Sequence, residues 1–197
     1  MIVLAQLNRY DWVMKKLKEL HQFWFDKIEI SNNYYERKVP QWFFGKDVSF
    51  DLACRENFSS LLDKFIINDF IKNQSTPQDY LSLVLLLDQI PRNSFRGSAK
   101  AFAFDELALQ LCLEALGTQT EMQLSFPEKL FLYLPLEHSE NSIMQDLSVK
   151  KYTELHENSP LEIKKWTELA LKKAFEHQST IIEFGRFPSR DRVMNRL

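Results

Sequence analysis

Pro77–Gln78–Asp79–Tyr80–Leu81–Ser82–Leu83–Val84–Leu85–Leu86–Leu87–Asp88–Gln89–Ile90–Pro91 is the most informative stretch of this 197-residue chain. Leu81, Val84, Leu85 and Asp88 fall at i, i+3, i+4 and i+7, the spacing of one helix face. Leu83, Leu86, Leu87 and Ile90 fill the opposite face, and a helix that is apolar all round lies inside a larger core. Thr76 and Pro77 suit an N-cap and a first-turn proline, and Pro91 is expected to stop the helix. Asp88 therefore sits among leucines. An unpaired carboxylate there would neutralise or be expelled, so it requires a cationic or hydrogen-bonding partner.

The same spacing extends outward. Phe58, Leu61, Leu62 and Phe65 repeat it, and Phe104, Leu107, Ala108, Leu111, Cys112 and Ala115 carry it through about three turns. Leu109, Leu113 and Leu116 make that second helix apolar on another side, so it is expected to be central. Ser159, Pro160 and Glu162 read as an N-cap, a first-turn proline and a capping box. Pro40 and Gly45 read as the end of the first unit, and Gly185 with Pro188 as the end of the last. The predicted helices are 8–27, 48–72, 77–90, 98–116, 127–134, 137–156 and 160–184, about seven with a short one at the C-terminus. No strand-length run alternates with period two, so the expected class is all-α, a single domain over 1–197 of antiparallel helix pairs.

Composition removes several function classes. Lys plus Arg is 25 against 27 for Asp plus Glu, a net charge of -2. No global field is available for nucleic acid or an anionic membrane, and neither is an expected partner. The 4 glycines stand apart at Gly45, Gly97, Gly117 and Gly185, so phosphate-cradling and dinucleotide-binding loops are excluded. The longest apolar run, Leu83–Leu87, is too short to span a bilayer. Cys54 and Cys112 lie in apolar helical patterns, as thiols do in a reducing compartment, and Met1–Leu7 does not read as an export signal. A cytoplasmic protein is expected. With no His-Glu-x-x-His, Glu-x-x-His or Cys-x-x-Cys, no metal and no cofactor are expected.

Polar residues on apolar faces are the candidate site. Arg92 and Arg96 follow Asp88 at once, with Asn93 between them, in a segment 91–97 that cannot be helical throughout. Arginine suits a buried bidentate pair. His177 falls inside the stripe Ile163, Trp166, Ala170, Ala174 and Ile181. Glu137 and Glu140 flank His138, three apart on one helix face; acidic residues of a helix's first turn would explain them equally well. Arg186 and Arg190, with Arg192 and Arg196, face a single nearby acid, Asp191, and are natural partners for carboxylates elsewhere. One shared acidic–basic cluster is expected.

These segments also carry a resemblance. Leu86–Leu87–Asp88–Gln89–Ile90–Pro91–Arg92–Asn93 with Phe95–Arg96–Gly97 forms one block. Phe131–Leu132–Tyr133–Leu134–Pro135–Leu136–Glu137–His138–Ser139–Glu140 forms another, and Phe184–Gly185–Arg186–Phe187–Pro188–Ser189–Arg190 a third. With Ala101–Phe102–Ala103–Phe104–Asp105, Phe23–Trp24–Phe25 and Trp42–Phe43, they resemble the bacterial family called domain of unknown function 924, from about residue 15 to the C-terminus. Asp191 departs from the asparagine usual there, and with the chain stopping at Leu197, any tail that relatives carry beyond the motif is expected to be missing. The resemblance implies a tetratricopeptide-like right-handed superhelix and no particular reaction.

Two functions suit these residues. One is a cytoplasmic binding or adaptor protein whose Arg92, Arg96, Arg186 and Arg190, with Asp88 and Asn93, hold an acidic peptide or small anion. The alternative is a hydrolase- or lyase-type enzyme with Glu137, His138, Glu140 or His177 in acid–base roles and the arginines as substrate clamps. A third possibility is a scaffold that docks partners on any of Trp12, Trp24, Tyr34, Tyr35 and Trp42 left exposed.

Overall fold

The chain, a computed structural model, is described over residues 2–43, 47–62 and 76–196; side chains at 2–10, 13 and 43 lie outside that description. Among the described residues every regular element is helical. The elements are α1 (Ile2–Phe25), α2 (Asn32–Phe43), α3 (Val48–Phe58), α4 (Pro77–Val84), α5 (Ile90–Ser94), α6 (Asp105–Gly117), α7 (Phe126–Leu132), α8 (Leu134–His138), α9 (Ser142–Glu157) and α10 (Lys164–Phe184). Short 3-10 turns precede α6, α7 and α10 and follow α3. Phe65 and Gly45, and the part of the predicted 48–72 helix beyond Leu62, lie outside the described residues.

Helix starts follow the capping chemistry where side chains can reach. Thr76 and Asp79 exchange side-chain and backbone bonds in a capping box at α4, and Ser125 and Glu128 do the same at α7. The box expected at Ser159 and Glu162 does not form. Ser159 Oγ instead donates to His156 O and meets Thr167 Oγ1, a 3-10 turn spans Leu161–Ile163, and α10 begins only at Lys164.

Other boundaries moved for physical reasons. Pro40 does not close a unit: it lies inside α2, on the exposed side, while Tyr35, Val39 and Trp42 bury the opposite face. The 98–116 helix divides into a 3-10 turn and α6, whose second side is only partly covered, with Leu113 at 36% exposure. The 127–134 and 137–156 helices become α7, α8 and α9, because Ser139 is extended (φ -72, ψ 139) and Asn141 caps α9 by accepting from the Ile143 and Met144 N–H groups. Glu137 and Glu140 consequently do not open a long helix or share its face. The described chain is all-α as expected, with several of the expected helices divided into shorter segments.

The core is aromatic. Phe131 meets Trp24 and Trp42 edge-on at centroid distances of 5.4 and 4.9 Å. Such pairs are worth about 0.5–1.5 kcal/mol beyond the area they bury. Trp42 Nε1 donates to Trp24 O and Tyr34 Oη to Phe25 O, which fastens α2 to the end of α1. Of Trp12, Trp24, Tyr34, Tyr35 and Trp42, only Trp12 is exposed, at 43%. α9 and α10 pack side by side, and the bonds His156–Thr167 and Asp146–Gln178 fix an antiparallel register. Both cysteines are buried and unpaired, and burial pushes the Cys54 thiol up to about 12.

Candidate functional site

Asp88 owes its position to Pro91. The helix does not stop there: the Ile90 N–H bonds to Leu85 O, five residues back, so Leu85–Gln89 form one widened π turn and α5 continues to Ser94. A proline ring inside a regular helix clashes with the carbonyl four residues earlier and leaves it without a donor. Widening the turn relieves that conflict, and such turns are frequent at functional sites. Asp88 and Gln89 lie in it, and Asp88 is fully buried. Its carboxylate takes His138 Nδ1 at 2.8 Å, Gln89 Nε2 at 2.6 Å and Arg92 Nη1 at 3.1 Å. Burial works to raise this carboxyl, but the Arg92 and His138 charges and these bonds outweigh it and hold it well below the usual carboxylate range.

The turn after α8 is held carbonyl by carbonyl. Gln145, on α9 and fully buried, points Nε2 at the carbonyls of Leu136, Glu137 and Ser139, at 3.4, 2.8 and 2.6 Å. Arg190 Nη2 takes the remaining one, His138 O, at 2.9 Å. The end of a helix normally leaves these acceptors to solvent. Here side chains satisfy four in succession, so Glu137 and His138 are fixed from the backbone outward.

The arginines meet carboxylates, though not always those expected. Arg92 grips Asp105 with two parallel bonds of 2.8 and 2.9 Å, and Arg190 Nη1 reaches the same carboxylate at 3.3 Å. Arg190 is sandwiched between the rings of Phe102 and Phe187, each 4.6 Å from its guanidinium carbon. Arg96 turns from Asp88 to Asp51 on α3, with both bonds 2.9 Å, and Asn93 supports it. Glu140 accepts from Arg196 and from the Phe187 N–H, which hold its carboxyl below its ordinary value against partial burial. Arg186 binds only its neighbour Asp191 and stands apart. The structure thus gathers Asp88, Arg92, Asn93, Glu137, His138, His177 and Arg190 around one centre, with Arg96 and Glu140 at its edges.

Gln89, Asp51, Asp105 and Gln145 were missed as members. Asp105 closes one of the motif segments quoted above. Gln145 is a lone amide between Met144 and Leu147 on a helix face that otherwise turns inward, which is the signal that would have flagged it.

A cavity of about 410 Å³ opens beside this centre. Gln89, Asn93, Glu137, His138 and His177 border its polar end. Val39, Trp42, Leu130, Tyr152 and Trp166 border the apolar remainder, and Arg96 and Lys173 also contribute to its wall. His177 Nδ1 lies 2.7 Å from Glu137 Oε1, but the approach misses hydrogen-bond alignment. The His177 ring packs against Phe187 at 5.3 Å and sits 6.3 Å from the His138 ring. Among the described residues no group of three or more His, Cys, Asp or Glu side chains has metal-holding geometry, and no helix is long and apolar enough to cross a membrane.

Fold and site together define a class: an all-α protein with a buried carboxylate–arginine–histidine centre at one end of a small cavity. The chain belongs to the family described as bacterial protein of unknown function (DUF924), which matches residues 20–197. It is similar to the solved structure of a protein of unknown function, ATU0120, from Agrobacterium tumefaciens. Identity is 26% and the TM-score 0.70, with 91% of this chain and 89% of that one covered. No curated protein matches it.

Proposed function

We propose that the cavity takes up a small organic molecule and that His138, with the Glu137–His177 pair, performs acid–base chemistry on it. The observation that carries this reading is the placement of His138. Asp88 is held ionised and can only accept, so His138 Nδ1 donates to it and Nε2 is the ring nitrogen left for a ligand. Nε2 has no partner among the described residues, and His138 borders the cavity. A base oriented by a buried carboxylate is the arrangement that acid–base catalysis uses, whatever the fold. Screening ester, amide and lyase-type substrates is the test. Turnover is expected to fall about a hundredfold or more in His138→Gln. Turnover unchanged in both His138→Gln and Glu137→Gln would overturn the assignment.

A second reading, a binding or adaptor protein for an acidic peptide or small anion, is favoured by Arg96. Its side chain is 50% exposed and its Nη1 has no partner among the described residues. Titration with inorganic phosphate and with an acidic peptide checks it: binding present in wild type and lost in Arg96→Met supports it, and equal behaviour of the two proteins removes it. Either reading belongs to a cytoplasmic single-domain protein with a tetratricopeptide-like superhelical course, which the antiparallel α9–α10 pair and the two buried thiols support.

A further inference from the structure

Arg96 and Lys173 apart, the hydrogen-bonding groups on the cavity wall gather around Glu137, His138 and His177, and the reason lies in where its aromatic walls send their polar atoms. Trp42 Nε1 donates to Trp24 O at 3.1 Å. Trp166 Nε1 donates to Asn32 Oδ1 at 2.9 Å, and Tyr152 Oη to Leu130 O at 2.8 Å. Every hydrogen-bonding atom of these three rings is thus engaged within the protein, which leaves ring carbon to face the space between them. Val39, Leu130 and Leu134 add aliphatic surface. A polar group placed there would lose its water and gain no partner, which is costly.

The long axis follows α10. Trp166, Ala170, Lys173 and His177 border the cavity at i, i+4, i+7 and i+11, one helix face, so His177 stands roughly 16 Å along the helix from Trp166. Lys173, between them, gives its ammonium to Glu176 at 2.5 Å. At the far end Glu137 Oε1 and His177 Nδ1 face each other without a hydrogen bond, and His138 Nε2 is unpartnered.

We propose that the molecule taken up carries a hydrocarbon tail, with an alkyl or aryl group between Trp42, Tyr152 and Trp166 and a hydrogen-bonding head at Glu137, His138 and His177. This rests on the cavity being the ligand site and adds the substrate class.

The test is calorimetric titration of the full chain with two series, the straight-chain carboxylic acids from butanoate to decanoate and their primary amides. In at least one series Kd is expected to fall about three- to fourfold per added methylene until the apolar end is filled. Ala170→Phe, which fills that end, is expected to abolish the gain of the long members and leave the short ones unchanged. Should that variant not fold, as circular dichroism would reveal, the wild-type series decides alone. A Kd independent of chain length, or no binding in either series, overturns the proposal. Chain-length dependence without turnover on any substrate panel upholds the tail site and removes the acid–base reading. Turnover through His138 on short polar substrates, with a flat chain-length series, does the reverse.

Discussion

Arg92→Met is expected to lower the unfolding free energy by about 3–5 kcal/mol in urea, because it leaves the Asp88 carboxyl buried without its arginine partner. The Asp88 side chain is 1% exposed and that of Arg92 15%. Arg92 also grips Asp105, so its loss leaves that carboxylate to Arg190 alone. Arg96→Met is the contrast. The Arg96 side chain is 50% exposed over Asp51, and pairs of that kind are worth about 1 kcal/mol or less. Equal losses in the two variants would mean that burial does not set the energetics of this centre.

Acid should act on the same group in a definite direction. Asp88 has a folded-state pKa below that of the unfolded chain, so the unfolded state binds more protons and stability falls as pH is lowered. Its contribution is complete above the unfolded carboxyl value of about 3.9 and is lost as pH drops from there through the lower folded value. Glu140 and Glu128 are shifted the same way and reinforce the trend. Arg92→Met should flatten this acid limb, since the group that keeps Asp88 ionised is gone.

How far these features can be read from the chain depends on the range of the interaction. Asp88 is legible because it stands among leucines at helical spacing, and Arg92 lies one turn later. The π turn is not, since widening a helix by one residue leaves composition unchanged and Pro91 reads as a stop. α2 lies in a stretch where no helix is predicted and Pro40 reads as the end of a unit, yet Tyr35, Val39 and Trp42 fall at i, i+4 and i+7 and bury together. There, tertiary packing outweighs a proline whose exposed position tolerates a missing donor. The partners of Arg96 and Arg190 are distant in sequence, Asp51 by 45 residues and Asp105 by 85, and only the packing of helices chooses among the available acids. The cavity is harder still to foresee, because its polarity depends on which way three ring donors turn.

Gln145→Met is expected to cost about 3–4 kcal/mol, although it preserves side-chain length and removes no charge. The amide Nε2 serves the carbonyls of Leu136, Glu137 and Ser139, and a buried acceptor left unsatisfied costs about 1–3 kcal/mol. The amide has two N–H groups for three acceptors, and Leu136 O keeps the Ser139 N–H, which keeps the total below the sum. Ser148, one turn along α9 and also fully buried, is the control: its Oγ has no partner, so Ser148→Ala should change stability by only about 0.5 kcal/mol. Gln145 and Ser148 lie on the same face of α9, so the comparison separates the amide's role from the general sensitivity of a packed surface. Function gives the second readout. With Gln145 gone, the Glu137 and Ser139 carbonyls lose their side-chain donor, while Arg190 still holds His138 O and Asp88 the His138 ring, so Glu137 is the residue freed toward the cavity. Any turnover should then lose kcat far more than its remaining folded fraction explains, as happens when positioned groups lose their supports. A loss of stability with kcat per folded molecule unchanged would assign Gln145 to folding alone.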